Sequence, residues 1–400
     1  MRSPKWILLV VGCAVLAGLL FSLPPRPIHD EAVHFAQAQA FARGDWQVRS
    51  DLPIWPTAHL LLAGVLAIAG SDSLLAARAT IAFCALLAAV AFHAITAHHE
   101  ARTAGMKTAQ FAFLPIVLPY CALVYTDIPA LSALLWMLYG ILKRRPAVFC
   151  VSAVLAVALR QSNIIWLVAG WAMYLQQAKA GESRARLHAV TVVCALTLVA
   201  WIACVTALGG IALGDAPPSR VLIPGLPNIE FAIGLGGLLF APLFAGILAR
   251  IVSGARNRRW WIAAASIAAV VALTFSVEHR FNTAPALIAH YLRNRLLFAI
   301  THSDLVRLLF AGWVAISALA FARFPFVPQL RRLKIPLYVV AALSLLPLEL
   351  IEQRYYLPFY ACFTAMRAPL SDRAEWIQLA MNVCLTATVV YAATHLGIFL

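Results

Sequence analysis

Apolar runs separated by short polar segments occupy most of the 400-residue chain. The first run spans about Trp6 to Leu23, long enough to cross a bilayer as a helix. Further apolar runs recur to the C-terminus, and several are too short to cross straight. One span is expected to rise from about Thr108 to Val124. The pattern predicts an all-α polytopic membrane protein with about 11–13 transmembrane helices.

Two polar stretches interrupt this pattern. Residues 24–73 form the most polar part of the first hundred residues, and they contain one short apolar helix, about Trp55 to Gly70. That helix is too short for an ordinary span, so it is interpreted as juxtamembrane or re-entrant. A second polar stretch covers residues 278–302. No repeat or low-complexity linker divides the chain, and a single transmembrane domain over residues 1–400 is predicted.

Composition agrees with a membrane protein. The chain is 63% hydrophobic and only 12% charged, with a mean hydropathy of +0.85, whereas a soluble domain is about 25% charged. The net charge of +15 is typical of basic cytoplasmic loops. Without a basic patch interleaved with aromatic residues, no nucleic-acid partner is expected. The eight cysteines are scattered and lack a CxxC pair, so they indicate apolar packing and not a disulfide framework or zinc site.

The distribution of charge predicts the topology. Arg2 and Lys5 precede the first run, which resembles a signal peptide but lacks a clear cleavage site. An uncleaved span starting in the cytoplasm is therefore expected. Residues 24–73 and 278–302 then face the outer side. Six arginines break the positive-inside trend, which indicates an anionic partner near the outer face: Arg160, Arg220, Arg280, Arg293, Arg295 and Arg354.

The outer stretch carries the best candidate chemistry. If Asp30 to Arg43 is helical, Asp30, His34 and Gln37 share one face at i, i+4 and i+7. An acid beside a membrane span can act as a general base toward a hydroxyl. The alternative is an amphipathic helix lying on the bilayer surface with its charges in water. HDEAVH is not the HExxH zinc motif, and rings at i, i+5 lie about 140° apart on a helix, so no metal site is expected.

Other charged residues end apolar runs, where charge is rarely without a role. A structural ion pair between Arg160 and Asp127 remains an alternative to a binding role. For His290, Arg293 and Arg295, contact with lipid headgroups is the simpler interpretation.

Several motifs together resemble one family. DEAVHFAQAQAFARGDW, from Asp30, is similar to the first luminal loop of the Alg10/Die2 α-1,2-glucosyltransferases, D-E-x-x-H-x-x-Q-A-Q-x-x-x-x-G. VYTDIPA resembles its Y-Y-T-(D/E), and LRQSNIIW, Leu159 to Trp166, resembles F-R-Q-T-N-I-x-W. GGIALGD, ending at Asp215, and IEQRYYLPFY, Ile351 to Tyr360, resemble two later motifs. The matches keep the family's order.

The chain departs from the family on the acceptor side. HYLRNR replaces the late D-N-R-H-Y, the histidine after G-D is absent, and IWPTAHL replaces T-x-P-G-L-Y. The chain is Ala- and Arg-rich, which is typical of a bacterial protein. The expected location is then the bacterial inner membrane with the site facing the periplasm, or the endoplasmic reticulum lumen in a eukaryote.

The resemblance implies a GT-C-like bundle that transfers a hexose, by family glucose, from a polyprenyl-phosphate carrier to a lipid-linked or surface glycan, with inversion and without a cofactor or metal. It also implies a first-loop acid as the base, and the chemistry of such a transfer makes Asp30 that base, oriented by Glu31 or His34. The candidate donor side consists of Arg160, Gln161, Asn163, Asp127, Arg354 and Tyr355, and the candidate acceptor side of Gln37, Gln39, Asp215, His290 and Arg293.

Two other functions fit a chain of this composition. A flippase of lipid-linked sugars would need polar residues through the membrane depth, whereas here they gather on one face. An assembly subunit with a decayed site is disfavoured by the intact acid pair and RQSN.

Overall fold

The computed structural model describes residues 5–49, 52, 54–177, 183–207, 226–253 and 258–399. Within these ranges every regular element is a helix, and only two isolated β-bridges occur. The predicted all-α class is therefore confirmed. The chain divides into two compact units, one of Met1–Thr108 with Val117–Arg220 and one of Ala109–Ile116 with Val221–Leu400. The single-domain assignment stays a prediction.

Among the described residues, nine helices begin in the first unit. They are α1 (Lys5–Ser22), α2 (Glu31–Ala42), α3 (Thr57–Ile68), α4 (Leu74–His99), α5 (Ala104–Ala112), α6 (Asp127–Leu142), α7 (Pro146–Leu159), α8 (Ile164–Gln176) and α9 (Arg184–Ala207). The unit boundary falls within α5.

The described part of the second unit contains ten helices. They are α10 (Leu226–Leu239), α11 (Ala241–Ser253), α12 (Arg258–Thr274), α13 (Arg280–Thr283), α14 (Pro285–His290), α15 (Leu292–His302), α16 (Asp304–Arg323), α17 (Lys334–Leu345), α18 (Leu357–Met366) and α19 (Asp372–Tyr391). The second polar stretch, residues 278–302, thus contains three short helices.

Four described helical segments are long and apolar enough to cross a membrane: Leu74–His99, Arg184–Ala207, Asp304–Arg323 and Asp372–Leu396. A fifth crossing results if α10 and α11, bent by 93°, form one broken span. Shorter apolar helices, including Thr57–Ile68, accompany them. The chain is a multi-pass integral membrane protein, as predicted.

The span expected from about Thr108 to Val124 is wrong in detail. Helix α5 ends at Ala112, and a short 3₁₀ turn follows at Leu118–Ala122. Pro115 and Pro119 lie in this segment. Proline removes a backbone donor and clashes with the preceding turn, so a continuous helix cannot form here.

The first unit packs helices α2, α3 and α4 around a small apolar core. Phe35 and Ala38 of α2, Leu62 and Leu66 of α3, Ala77 of α4 and Val124 are all buried there. Ser73 caps α4 by accepting a hydrogen bond from the amide of Ala76 at 3.2 Å. This packing fixes the start of α2 beside the segment that precedes α6.

A glycine allows helices α6 and α7 to approach each other closely. A Cβ at Gly140 of α6 would stand 2.6 Å from the backbone nitrogen of Phe149 in α7. Only glycine, which has no Cβ, fits at that crossing. Helix α7 then leads to the RQSN motif at its C-terminal end.

The second unit contains a fully buried polar network. Arg367, 0% exposed, donates to both carboxylate oxygens of Glu375, at 2.8 and 2.6 Å, and to Gln110. Gln110 donates back to Glu375 at 2.9 Å. Buried charges are tolerated when they are paired and hydrogen-bonded in this way.

Candidate active site

The two neighbouring acids at the start of α2 have different surroundings. Asp30 is exposed and stands at the N-cap position of α2, where its side chain makes no capping hydrogen bond. Glu31 is 0% exposed. An acid pair that the sequence treats alike is therefore divided into one carboxylate at the surface and one in the interior.

Glu31 is tied to three segments. Its Oε1 accepts from Nε of Arg78 at 2.9 Å and from the amide of Val124 at 3.0 Å. Its Oε2 accepts from Nη2 of Arg78 at 2.7 Å and from the amide of Ile28 at 2.9 Å. Arg78, on α4, is itself 3% exposed. A bidentate ion pair completed by two backbone amides satisfies a buried carboxylate well.

His34 belongs to a buried ring cluster. Its Nδ1 lies 2.9 Å from Nε2 of His59 on α3, and the two rings are nearly parallel with centroids 5.2 Å apart. The ring of Tyr125 lies 5.4 Å from that of His34. Burial lowers the pKa of His59 to about 4, against an opposing contribution from the Pro56 backbone. His59 is therefore neutral at pH 7, and the tautomers of the two rings decide which of the facing nitrogens donates.

The two glutamines predicted on the acceptor side bind two different loops, Gln37 the loop after α2 and Gln39 the loop before α4. Gln37, fully buried, donates to the carbonyl of Gln47 at 3.0 Å and accepts from the amide of Arg49 at 2.8 Å. Gln39 donates to the carbonyl of Asp72 at 2.9 Å. The side-chain amides of Gln37 and Gln39 therefore hold loop backbone in place. The sequence analysis predicted acceptor binding for them and did not include this structural role.

The RQSN motif forms a break between two helices. Arg160 ends α7, Gln161 to Asn163 form a 3₁₀ turn, and α8 begins at Ile164. Arg160 forms an ion pair with Asp127, the first residue of α6, so the structural alternative to a binding role is present. Asn163 donates to the carbonyl of Ala156 at 3.0 Å, and the amide of Trp55 approaches Oε1 of Gln161 at 3.5 Å.

A second charged cluster lies in the second unit and is called here the Glu352 cluster: Arg293, Glu352, Gln353 and Arg354. Glu352 forms ion pairs with Arg293 and, at 3.4 Å, with Arg354. Burial raises the pKa of Glu352, but the two guanidinium groups outweigh it and hold the pKa below its ordinary value. One carboxylate faces two guanidiniums, so these charges sum to +1.

Asparagines hold this cluster in place. Asn294 accepts from Nε of Arg293 at 2.9 Å and from Asn282 at 3.2 Å. Asn282 also exchanges two 3.0 Å hydrogen bonds with the backbone of Ile351, next to Glu352. The side chains of α13 and α15 thereby position the chain that carries Glu352 and Arg354.

The remaining predicted residues are dispersed. Arg293 and Arg354 both form ion pairs with Glu352. The sequence analysis assigned Arg293 to the acceptor side and Arg354 to the donor side, whereas the fold brings the two arginines together. Tyr355 is half-buried in the same turn, and His290 is exposed at the end of α14. Asp215 and Arg220 lie outside the described residues.

Sequence reasoning missed Arg78 and His59. Arg78 is a charge inside an apolar helix, a position where charge indicates a specific partner, so a signal was present. His59 follows a proline in an apolar segment and offered none. In the part of the chain that the structure describes, no group of three His, Cys, Asp or Glu side chains could hold a metal ion.

Comparison with known proteins places the first unit's motifs in a family. The DIE2/ALG10 family model matches residues 24–190. An Arabidopsis thaliana protein named Dol-P-Glc:Glc(2)Man(9)GlcNAc(2)-PP-Dol alpha-1,2-glucosyltransferase is 29% identical over 166 residues, 36% of this chain. The match spans about a third of that relative, 32% of its length.

One solved structure also aligns. The crystal structure of ArnT from Cupriavidus metallidurans in the apo state gives a TM-score of 0.43 at 15% identity, covering 98% of this chain and 75% of that one. The motifs of Asp30, Asp127 and Arg160 fall inside the family match and those of Asp215 and Glu352 outside it. The predicted resemblance to the DIE2/ALG10 family is confirmed, and residues 24–190 carry it.

Proposed function

We propose that this protein is a GT-C-type membrane glycosyltransferase that moves a hexose, by analogy glucose, from a polyprenyl-phosphate donor to a lipid-linked or surface glycan acceptor. The transfer inverts the anomeric centre and uses no metal or cofactor. Asp30 acts as the general base that takes the proton from the acceptor hydroxyl. The family match over residues 24–190, which includes the acid motif, supports this proposal.

The division of the acid pair is the observation that favours Asp30. A general base must reach the proton it removes. Glu31 is fully buried and engaged by Arg78 and two backbone amides, whereas Asp30 is exposed at the start of α2. Glu31 therefore holds the loop, and Asp30 presents a carboxylate at its surface.

An inverting transfer also needs groups that stabilise the leaving phosphate. Arginine suits that role because its planar fork donates two hydrogen bonds to one phosphate. Each unit carries a candidate, Arg160 in the first and Arg354 in the second. Arg354 is the stronger candidate, because it shares the carboxylate of Glu352 with Arg293, whereas Arg160 forms an ion pair with Asp127.

Asp30→Asn tests the base directly. The change keeps the side-chain shape and removes the basicity, so turnover should fall by about 10²–10⁴ with unchanged thermal unfolding. Asp72→Asn is the matched control, an exposed acid in the same stretch that pairs with Arg43, and it should keep full turnover. Normal turnover of Asp30→Asn with a polyprenyl-phosphate hexose donor would refute the base.

The proposed site faces the outer side of the membrane. A cysteine at the exposed Gln47 should react with an impermeant thiol reagent in intact cells, in a background without the exposed native Cys13, Cys204 and Cys384. Labelling only after lysis would reverse the orientation.

A further inference from the structure

Arg78 joins α4 to the chain segment that leads into α2. In addition to its two bonds to Glu31, its Nη1 donates to the carbonyl of Pro24 at 2.6 Å and its Nη2 to the carbonyl of Arg26 at 3.1 Å. The guanidinium fork thus contacts residues 24, 26 and 31 at once. These contacts bracket Asp30, which lies between them in the chain.

The same segment contains a strained residue. His29, immediately before Asp30, has φ +50°, in the left-handed region that costs a non-glycine residue about 1–2 kcal/mol. Such a conformation persists only where its surroundings fix it. Glu31 closes the turn around His29 and Asp30, since its Oε2 accepts from the amide of Ile28 and its own amide donates to the carbonyl of Ile28 at 3.0 Å.

A purely stabilising role does not require an ion pair here. Replacing a buried salt bridge by apolar residues of similar volume is often neutral or stabilising. Apolar side chains could not, however, direct two carbonyls and two amides of the surrounding backbone. The Glu31–Arg78 pair orients these backbone groups through directional hydrogen bonds. Asp30 is the residue of this turn that reaches the surface.

We propose that Arg78 is the positioning residue for Asp30: through Glu31 and the carbonyls of Pro24 and Arg26, it holds the left-handed turn that presents the Asp30 carboxylate. This inference rests on the proposed function, in which Asp30 is the base. Arg78 does not touch substrate and acts through the backbone of residues 24–31. Displacement of a catalytic group by about 1 Å can lower a rate about 10²-fold.

Arg78→Lys tests this role because it keeps the charge and loses the fork. A lysine ammonium is a point charge and cannot reproduce the bidentate contact while reaching both carbonyls. The expected result is a fall in kcat of about 10²-fold with little change in KM for the donor. Hydrogen exchange should become faster in residues 24–35 of the full-length protein. Arg43→Lys is the matched control, because Arg43 is an exposed arginine of the same outer stretch, and it should change neither quantity.

A second variant covers failure of Arg78→Lys to fold. The double change Glu31→Gln with Arg78→Gln removes both charges, leaves no unpaired ion, and should give folded protein with the same fall in kcat and the same faster exchange. Wild-type kcat in the folded variant, or a loss equal to that of unfolded protein, overturns the positioning role. Failure of the proposed function is distinguishable, because it appears as full turnover of Asp30→Asn.

Discussion

Glu31 and Glu352 are both buried glutamates that bind arginine, yet their clusters differ in charge and closure. Glu31 meets one guanidinium and two backbone amides, so its charge is balanced and every contact is internal. Glu352 meets two guanidiniums, and the side chain of Arg354 is 13% exposed. A balanced, enclosed pair is suited to fixing a backbone. A cluster in which two guanidiniums share one carboxylate is suited to binding an anion.

The largest difference should appear in stability. Arg78→Gln leaves Glu31 charged and buried without its partner, and breaking such a pair costs about 3–5 kcal/mol. Arg354→Gln leaves Glu352 paired with Arg293 and should cost only about 1 kcal/mol. Unfolding in one detergent measures both. Equal losses would mean that the Glu352 cluster is as closed as that of Glu31.

A smaller effect is expected on binding of the donor when an arginine near the phosphate is replaced by lysine. Arg354→Lys keeps the charge and loses the planar fork, so interaction with the donor phosphate should weaken by about 1–3 kcal/mol. Arg160→Lys is the comparison, because Asp127 already neutralises Arg160, and its effect should be less. The KM for the donor, measured for both variants, shows which arginine interacts with the phosphate. A larger effect at Arg160 would assign the phosphate to the first unit.

The two regions should also respond to acid at different pH. The pKa of His59 is about 4 in the folded protein and ordinarily 6.5. Below pH 6.5 the unfolded state therefore binds more protons, and the stability contributed by neutral His59 is lost as pH falls toward 4, about 2 kcal/mol by pH 4.5. Glu352, with its pKa held below the ordinary value, contributes fully above its unfolded pKa and loses stability only at lower pH.

Local hydrogen exchange at decreasing pH measures this order. Exchange in residues 57–68 should rise between pH 6.5 and 4.5 before it rises in residues 349–357. His59→Gln cannot titrate and should abolish the early rise. Simultaneous changes in both segments, or an unchanged response of His59→Gln, would contradict the assignment to His59.

The smallest effect is expected from metal removal. If Asp30 is a base and Arg354 binds phosphate as a cation, neither cluster needs a divalent ion, and turnover should survive EDTA. Loss of turnover under EDTA that Mn²⁺ or Mg²⁺ restores would turn the acids of α2 into metal ligands. The Asp30→Asn variant would then show weaker metal binding as well as lower turnover.

Several elements were predictable from local pattern. Helix α3 begins within two residues of the start expected from the apolar run at Trp55, because segments that must satisfy their own backbone in lipid become helices. The continuous span expected from about Thr108 was wrong, because Pro115 and Pro119 interrupt the helix in an otherwise apolar segment. The ion pair of Arg160 with Asp127 was foreseen as an alternative because both residues end apolar runs.

The sequence by itself determined the membrane class, the helical content and the resemblance of residues 24–190 to the DIE2/ALG10 family, since composition, periodicity and ordered motifs are local properties. Tertiary structure alone decided which acid of the pair is buried, that Arg78 of α4 is its partner, and that Arg293 shares a carboxylate with Arg354. The first two depend on contacts between residues 47 positions apart, and the third on a contact between residues 59 positions apart. Adjacent residues on a helix point about 100° apart. Asp30 and Glu31 therefore face different directions, but only the packing of the rest of the unit decides which of the two carboxylates is buried.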